Sequence, residues 1–254
     1  GETANVVRIA AMNRRCFFLL GGKLTVQDIC KRFCKYGMGD IHVYTGEMLG
    51  YPQERILNGL ARDFTEIDIK SLSVMMTENP YPETHIRSGI PDEEFIRGKI
   101  PMTKSEIRSL VISKLGIAPS DIVWDIGCGT GSVSVEMALQ CYKGTVYSID
   151  LNPEAVELTK QNALKFRCDN IDISLGSAPE ITEHFLTPDK IFIGGSKGNL
   201  QEIISTAIRR NPKVIILITA VSLETIYEAM DGLSEHDFNV AITQASITRT
   251  KQIA

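Results

Sequence analysis

A glycine-rich turn between a strand and a helix restricts the folding of this chain more than any other stretch. It reads Asp125-Ile126-Gly127-Cys128-Gly129-Thr130-Gly131. Ahead of it, Ile122, Val123 and Trp124 form an apolar run of strand-like composition; behind it, Val133, Met137 and Ala138 recur at helical spacing. Glycines let the backbone turn sharply and approach a ligand with no Cβ in the way. The N–H groups left free at a helix start attract the ligand's polar end. A strand, a glycine turn and a helix start together make a holder for a nucleotide-like ligand.

The rest of the second half suits such a holder. From about residue 103, helices expected at 103–115, 132–140, 153–167, 198–209 and 222–233 alternate with strands at 121–126, 145–150, 171–175, 190–194, 213–219 and 238–248. That alternation predicts an α/β fold with a parallel sheet covered on both faces and ligands at the carboxyl ends of the strands. Thr103, followed three residues later by Glu106, predicts a capping box at the first of these helices. The first eighty residues read differently. They suggest a strand at 16–20, a turn at Gly21-Gly22-Lys23, an amphipathic helix at 26–36 capped by Thr25, a strand at 41–44, a helix at 54–64 and a strand at 71–77. This is a small α/β unit, short for a domain of its own. Asn79-Pro80-Tyr81-Pro82 is a stiff, non-helical joint, so the boundary is placed near 80, dividing the chain into 1–80 and 81–254. Asp92 is a candidate cap for a short helical turn.

Composition removes several classes of function. The 254 residues are 43% hydrophobic and 23% charged, an ordinary globular balance. A net charge of −4 gives no electrostatic case for nucleic acid as the main partner. No apolar run reaches the length of a membrane span, and no signal-peptide pattern opens the chain. The six cysteines include no CxxC and no zinc spacing, so they read as thiols in a reducing, cytoplasmic setting, and no metal site is expected. His42, His85, His184 and His236 are scattered and read as structural or solvated.

The glycine spacing separates two kinds of ligand. Dinucleotide sites want G-x-G-x-x-G; counted from Gly127, the last of those positions is Ser132. An acidic residue followed by G-x-G-x-G resembles instead the first motif of S-adenosylmethionine-dependent methyltransferases. About twenty residues on, a second strand ends in Asp150, and a carboxylate there can accept both ribose hydroxyls. A dinucleotide, or a structural turn without a ligand, remains the alternative. After the strand at 190–194, Gly194, Gly195 and Ser196 stand where methyltransferases of amino groups on bases or glutamine carry prolines and an aromatic residue. This loop leaves a wide floor and offers backbone N–H groups to a large acidic substrate; the other reading is a flexible turn.

Three further stretches converge on one family. They are Gly89-Ile90-Pro91-Asp92-Glu93-Glu94-Phe95, Ile100-Pro101-Met102-Thr103-Lys104-Ser105-Glu106-Ile107-Arg108 and Phe192-Ile193-Gly194-Gly195-Ser196. With residues 125–131 they closely resemble the decarboxylating half of the precorrin-6Y C5,15-methyltransferase family of cobalamin biosynthesis, over about residues 85–250. Gly46-Glu47-Met48-Leu49-Gly50-Tyr51-Pro52-Gln53-Glu54-Arg55 resembles the C-terminal lobe of the tetrapyrrole methylase that forms the other half of the fused enzyme. On this resemblance the chain is expected to start inside a longer protein, with the preceding lobe ahead of Gly1, and to stop at Ala254 short of a final antiparallel strand.

The resemblance implies a Rossmann-like class I methyltransferase domain behind a partial tetrapyrrole methylase lobe. It implies S-adenosylmethionine as cofactor and a precorrin as substrate, with methylation of a ring bridge carbon and loss of an acetate carboxyl as CO2. Methyl transfer from a sulfonium depends on positioning and a desolvated site rather than on a nucleophilic side chain, so no catalytic residue is assigned. Asp125, Gly127, Cys128, Gly129, Thr130 and Gly131 are expected around the methionine portion, Asp150 at the ribose, Ser177 and Ala178 at the adenine edge, and Thr103 closing over the cofactor. Lys104 and Arg108, four apart on one helix, are expected to meet the polycarboxylate substrate together with Gly194, Gly195 and Ser196. Arg87, Arg97, Lys99 and Lys197 are further candidate cations. Rival readings are another class I methyltransferase, a non-catalytic cofactor-binding module and a nicotinamide-dependent oxidoreductase. An exposed sheet edge favours a homo-oligomer.

Overall fold

Alternating burial along the strands of the first eighty residues marks a sheet packed on one face only. The computed structural model describes residues 5–20, 24–69, 72–234 and 238–250. Within the first of these spans and the next lie α1 (Val6–Met12), β1 (Arg15–Leu20), α2 (Val26–Lys35), β2 (His42–Glu47) and β3 (Arg55–Leu60), followed by β4 (Ser73–Glu78). The strands form an antiparallel sheet in the order β1-β4-β2-β3. Val43 and Met75 share a buried core with Ile29 and Phe33 of α2. Phe17 and Leu19 on β1 stay 63% and 81% exposed. Thr25 caps α2 as expected, in a capping box with Asp28.

Two elements of this half depart from the sequence pattern. The helix expected at 54–64 is β3 followed by one 3-10 turn, Ala61–Phe64. Its apolar residues do recur at helical spacing, but Gly59 weakens a helix, and pairing of Val43 with Gly59 and Thr45 with Leu57 supplies the backbone partners instead. Helix α1 was not expected. The turn at Gly21-Gly22-Lys23, Ser71 at the start of an expected strand, His236 and Ala254 lie outside the described residues.

In the second half, α3 (Ser105–Leu115), β5 (Ile122–Ile126), α4 (Ser132–Gln140), β6 (Thr145–Asp150), α5 (Pro153–Lys165), β7 (Ile171–Leu175), β8 (Lys190–Ile193), α6 (Leu200–Arg210), β9 (Ile215–Ile218) and α7 (Leu223–Ser234) alternate almost as read. The five strands are parallel, in the order β7-β6-β5-β8-β9. Both faces are buried. Val123, Val146 and Phe192 pack with α4 residues such as Val135, while Trp124, Ile149 and Ile191 pack on the opposite face with Ile203 and Ile204 of α6. Residues 238–250 form no strand. The apolar alternation of 238–248 is present, but a strand exists only where its N–H and C=O groups meet a ladder partner, and this segment has none among the described residues.

The two halves are joined by a buried carboxylate. Asp169, just before β7, accepts from Val7 N and Arg8 N at the start of α1, each at 3.0 Å, and pairs with Arg32 of α2 at 3.1 Å. Asn5 adds a bond from its side-chain amide to Gly144 O at 3.0 Å. Burial pushes the Asp169 carboxyl above its ordinary range, against the opposing pull of the Val7 N–H and Arg32. Asp169→Ala should therefore cost about 1–3 kcal/mol for donors left without an acceptor. Hydrogen exchange at the Val7 and Arg8 amides should accelerate while that of β5 does not; equal acceleration in both would refute the joint.

Candidate functional site

From β5 the chain runs outward through β6 and β7, then returns to place β8 and β9 on the other side of β5. This reversal opens a crevice at the carboxyl ends of β5 and β8, the usual ligand position in such sheets. The glycine turn follows β5, and Gly194 to Ser196 follow β8. Gly127, at φ +79°, has no room for a side chain, because a Cβ would lie 2.8 Å from Gly195 O and 2.9 Å from Gly195 N. Gly131, at φ +73°, is equally confined, with a Cβ position 2.8 Å from Thr159 Cα, so α5 packs directly on the start of α4. Above Gly129 passes Pro101, whose carbonyl oxygen would be 3.2 Å from a Cβ there. Each glycine is thus the contact point for a different segment.

Asp125 explains how the turn is held from below. Gly131 is the N-cap of α4 and has no side chain to cap with, so Asp125 does the capping from β5, accepting from the Ser134 hydroxyl and backbone N–H. It is fully buried, and its Oδ1 has no hydrogen-bond partner. Burial pushes its carboxyl up to about 7, against the Ser134 bond and with a further push from Asp150. Asp150 closes the turn from the side. Its Oδ2 accepts from Gly129 N at 3.0 Å and its Oδ1 from Asn152 N at 2.9 Å.

A shallow cleft opens at this point, walled by Gly127, Asp150, Ser177, Ala178, Gly195 and Ser196 among the residues expected to meet a ligand. Ile126, Ile149, Leu151, Gly176, Lys197 and Ile203 complete the wall. Of these, Leu151 directly follows the ribose-position acid, a signal the sequence offered. Ile203 comes from α6 and had none. Asn199 ties the two rims together, donating to Ser177 Oγ at 3.3 Å and Ala178 O at 3.1 Å.

Other expected site residues fall elsewhere. Asp125, Cys128 and Thr130 have buried side chains, so from the turn only backbone groups are offered; burial also raises the Cys128 thiol far above a reactive range. Gly129 and Gly131 serve the turn without lining the cleft. Thr103 does not cap α3. The N-cap is Lys104, without a side-chain bond, and Asp92 Oδ1 accepts from Ser105 N at 3.0 Å instead. Lys104 is half exposed, its ammonium 3.7 Å from Asp92.

Arg108 is the clearest correction. Rather than facing a substrate it is 0% exposed. Its Nε donates to Glu136 and one terminal nitrogen to Asp92, both at 2.9 Å, and further donors reach the carbonyls of Thr103 and Ile90. Glu136 accepts in turn from Gly89 N at 2.8 Å and Ile90 N at 3.0 Å. The i, i+4 spacing that put Lys104 and Arg108 together says nothing about which side of α3 faces the core.

A parallel five-stranded sheet, a glycine turn at its switch point and a terminal acid on β6 define a Rossmann-like methyltransferase domain. Residues 94–254 match the family described as the precorrin methyltransferase domain, and the chain belongs to that family. It is 42% identical over 164 residues to a protein of Pyrobaculum calidifontis named a probable cobalt-precorrin-6B C(15)-methyltransferase (decarboxylating), covering 63% of this chain and 84% of that one. Among solved structures, precorrin-6y C5,15-methyltransferase of Geobacter metallireducens is similar with a TM-score of 0.62 at 34% identity, covering 65% of this chain and 88% of that chain. A precorrin 8w decarboxylase of Methanobacterium thermoautotrophicum gives 0.61 at 37% identity, covering 65% and 89%. No helix among the described residues is long and apolar enough to cross a membrane.

Two outcomes are expected from this geometry. Arg108→Met leaves buried Glu136 without a cation among the described residues and takes from Asp92 its nearest one, and should cost about 3–5 kcal/mol in a denaturant titration. A loss below about 1 kcal/mol would mean the pair is solvated. Because the folded-state carboxyl of Asp125 lies near 7, above its ordinary 3.8, its protonated form favours the fold, and stability is lost as pH rises through that window. Asp125→Asn keeps an acceptor for Ser134 and cannot ionise. Its stability relative to wild type should therefore improve between pH 5 and pH 8; a pH-independent difference would place the Asp125 carboxyl in its usual range.

Proposed function

We propose that this protein is a decarboxylating C-methyltransferase that uses S-adenosylmethionine to methylate a bridge carbon of a precorrin in cobalamin biosynthesis. Membership of the precorrin methyltransferase family carries the reading, and the cleft supports it. The cleft offers the right groups for that cofactor: an acid at the end of β6 to accept ribose hydroxyls, small residues at 176–178 for an adenine edge, and a glycine turn that admits the ligand to its backbone. Gly127, where a Cβ would collide with Gly195, lets the turn after β5 and the loop after β8 meet at the floor of the crevice. Bound there, the cofactor supplies an electrophilic methyl group.

The chain's own contribution is positioning. Asp150 holds the ribose and, through Gly129 N, the shape of the turn. Asp125 fixes the helix start beneath it. Residues 100–104 roof the turn, with Thr103 held through its carbonyl by Arg108, while Lys104 and the 194–196 loop border the substrate side. Val221 and Leu223, 105% and 81% exposed, follow β9, whose end bonds to β8 through Thr219 N and Ile193 O at 3.1 Å. They give the substrate side an apolar ledge suited to a macrocycle. Loss of CO2 needs an electron sink, which the conjugated macrocycle itself provides.

Residues 1–80 fit a partial tetrapyrrole methylase C-terminal lobe, whose uncovered sheet face at Phe17, Leu19 and Ile56 suits a packing partner. The edges of β1, β3, β7 and β9, unpaired among the described residues, favour a homo-oligomer, and the cysteine chemistry favours the cytoplasm.

Calorimetric titration with S-adenosylhomocysteine should give micromolar affinity, about −8 kcal/mol. Asp150→Ala should weaken it about tenfold or more, as expected for losing hydrogen bonds to a charged group. No binding by a folded wild-type protein would refute the reading. Binding without CO2 release from a precorrin would move it to a non-catalytic module.

A further inference from the structure

The substrate of the proposed reaction is a polyanion, yet three of the six cations expected to receive it are engaged, and Arg97 and Lys99 do not line the cleft. Arg108 is buried in its carboxylate pair, Lys104 sits beside Asp92, and Arg87 makes two bonds to Glu94, at 2.9 and 2.6 Å. Among the described residues lining the cofactor cleft, one is basic: Lys197. It is exposed, and its ammonium has no ion pair or hydrogen bond within the described residues.

Its backbone is the more telling observation. Lys197 lies at φ +48° in a loop with Gly195 before it and Gly198, at φ +94°, after it. The left-handed region suits glycine and disfavours lysine. A residue kept there against its preference is a strained position, and such positions gather at ligand sites. The loop around it is fixed. Gly194 N bonds to Ile126 O at 2.9 Å, Asn199 N bonds to Ser196 O at 3.1 Å, and Gly195 is pressed against Gly127. The main chain therefore places Lys197 at a set point on the rim, with only its side chain free to reach outward.

Resting on the function proposed above, we propose that Lys197 is a positioning residue that grips a peripheral carboxylate of the tetrapyrrole. The carboxylate is one that the reaction retains. A lysine paired with the departing carboxylate would stabilise the localised charge of the ground state more than the dispersed charge of the transition state, and so would slow CO2 loss. Contact with a retained carboxylate contributes equally to both states, which makes it a matter of KM rather than of kcat.

The test uses Lys197→Gly, Lys197→Met and Lys197→Arg in the full chain. Lys197→Gly relieves the left-handed conformation, so its thermal midpoint should equal or exceed that of wild type while KM for the precorrin rises about tenfold with kcat little changed. Affinity for S-adenosylhomocysteine should change far less than KM for the precorrin in every variant. Lys197→Met should raise KM as much as Lys197→Gly does, and Lys197→Arg should restore it. Binding of uroporphyrin, followed by its fluorescence, should weaken in parallel and lose part of its salt dependence; the neutral methyl ester of uroporphyrin should not distinguish the variants. An unchanged KM in Lys197→Gly overturns the assignment while wild-type turnover leaves the proposed function standing. Equal losses of cofactor affinity and of KM overturn it in favour of a structural role. A wild-type protein that binds S-adenosylhomocysteine but neither turns over a precorrin nor binds uroporphyrin overturns both.

Discussion

The buried guanidinium of Arg108 is the interaction on which the geometry of the site depends. A charge without solvent must be compensated on nearly every donor, and Arg108 meets that demand by collecting Glu136 from α4, Asp92 from the short 3-10 turn Asp92–Glu94, and the carbonyls of Ile90 and Thr103. Those partners are scattered over about fifty residues. Gathering them fixes residues 89–105 against α4, and that in turn lays Pro101 over Gly129. The roof of the glycine turn is therefore a consequence of satisfying one buried cation.

The turn follows the same logic of distributed support. Its glycines leave room for Gly195, Pro101 and Thr159, so segments distant in sequence meet with no intervening side chain. The cost is a helix start that cannot cap itself, and Asp125 offsets that cost from the neighbouring strand. Burial of a carboxyl in this role raises its proton affinity. The consequence is a titrating group directly beneath the cleft proposed for the cofactor, while Asp150, half-buried at the edge, stays bonded to two backbone N–H groups. Two acids bracket the turn, one below and one beside it, and burial decides which of them can face a ligand.

Much of the parallel sheet could be read from sequence because its strands are short, mostly apolar and for the most part separated by helices of distinct period. The edges of β5, β6 and β8 fell within a residue or so of expectation. The first eighty residues were harder. At 55–60, helical spacing and strand pairing competed, and the ladder with β2 decided the outcome. At 238–248 the alternation of a strand was present without a partner. Both misreadings share a cause: periodicity reports which side chains could lie together, whereas a strand is made by hydrogen bonds to another segment.

The sequence by itself determined the α/β class, the glycine turn, the acid at residue 150 and the family to which residues 94–254 belong, because each depends on local spacing or on residue identity. Only the tertiary structure decided that Asp125 and Arg108 support the site from beneath, that Asp92 rather than Thr103 serves the start of α3, and that Lys197 is the cation on the cleft wall. Those roles depend on burial and on partners tens of residues away, and neither quantity is written in the local pattern of a chain.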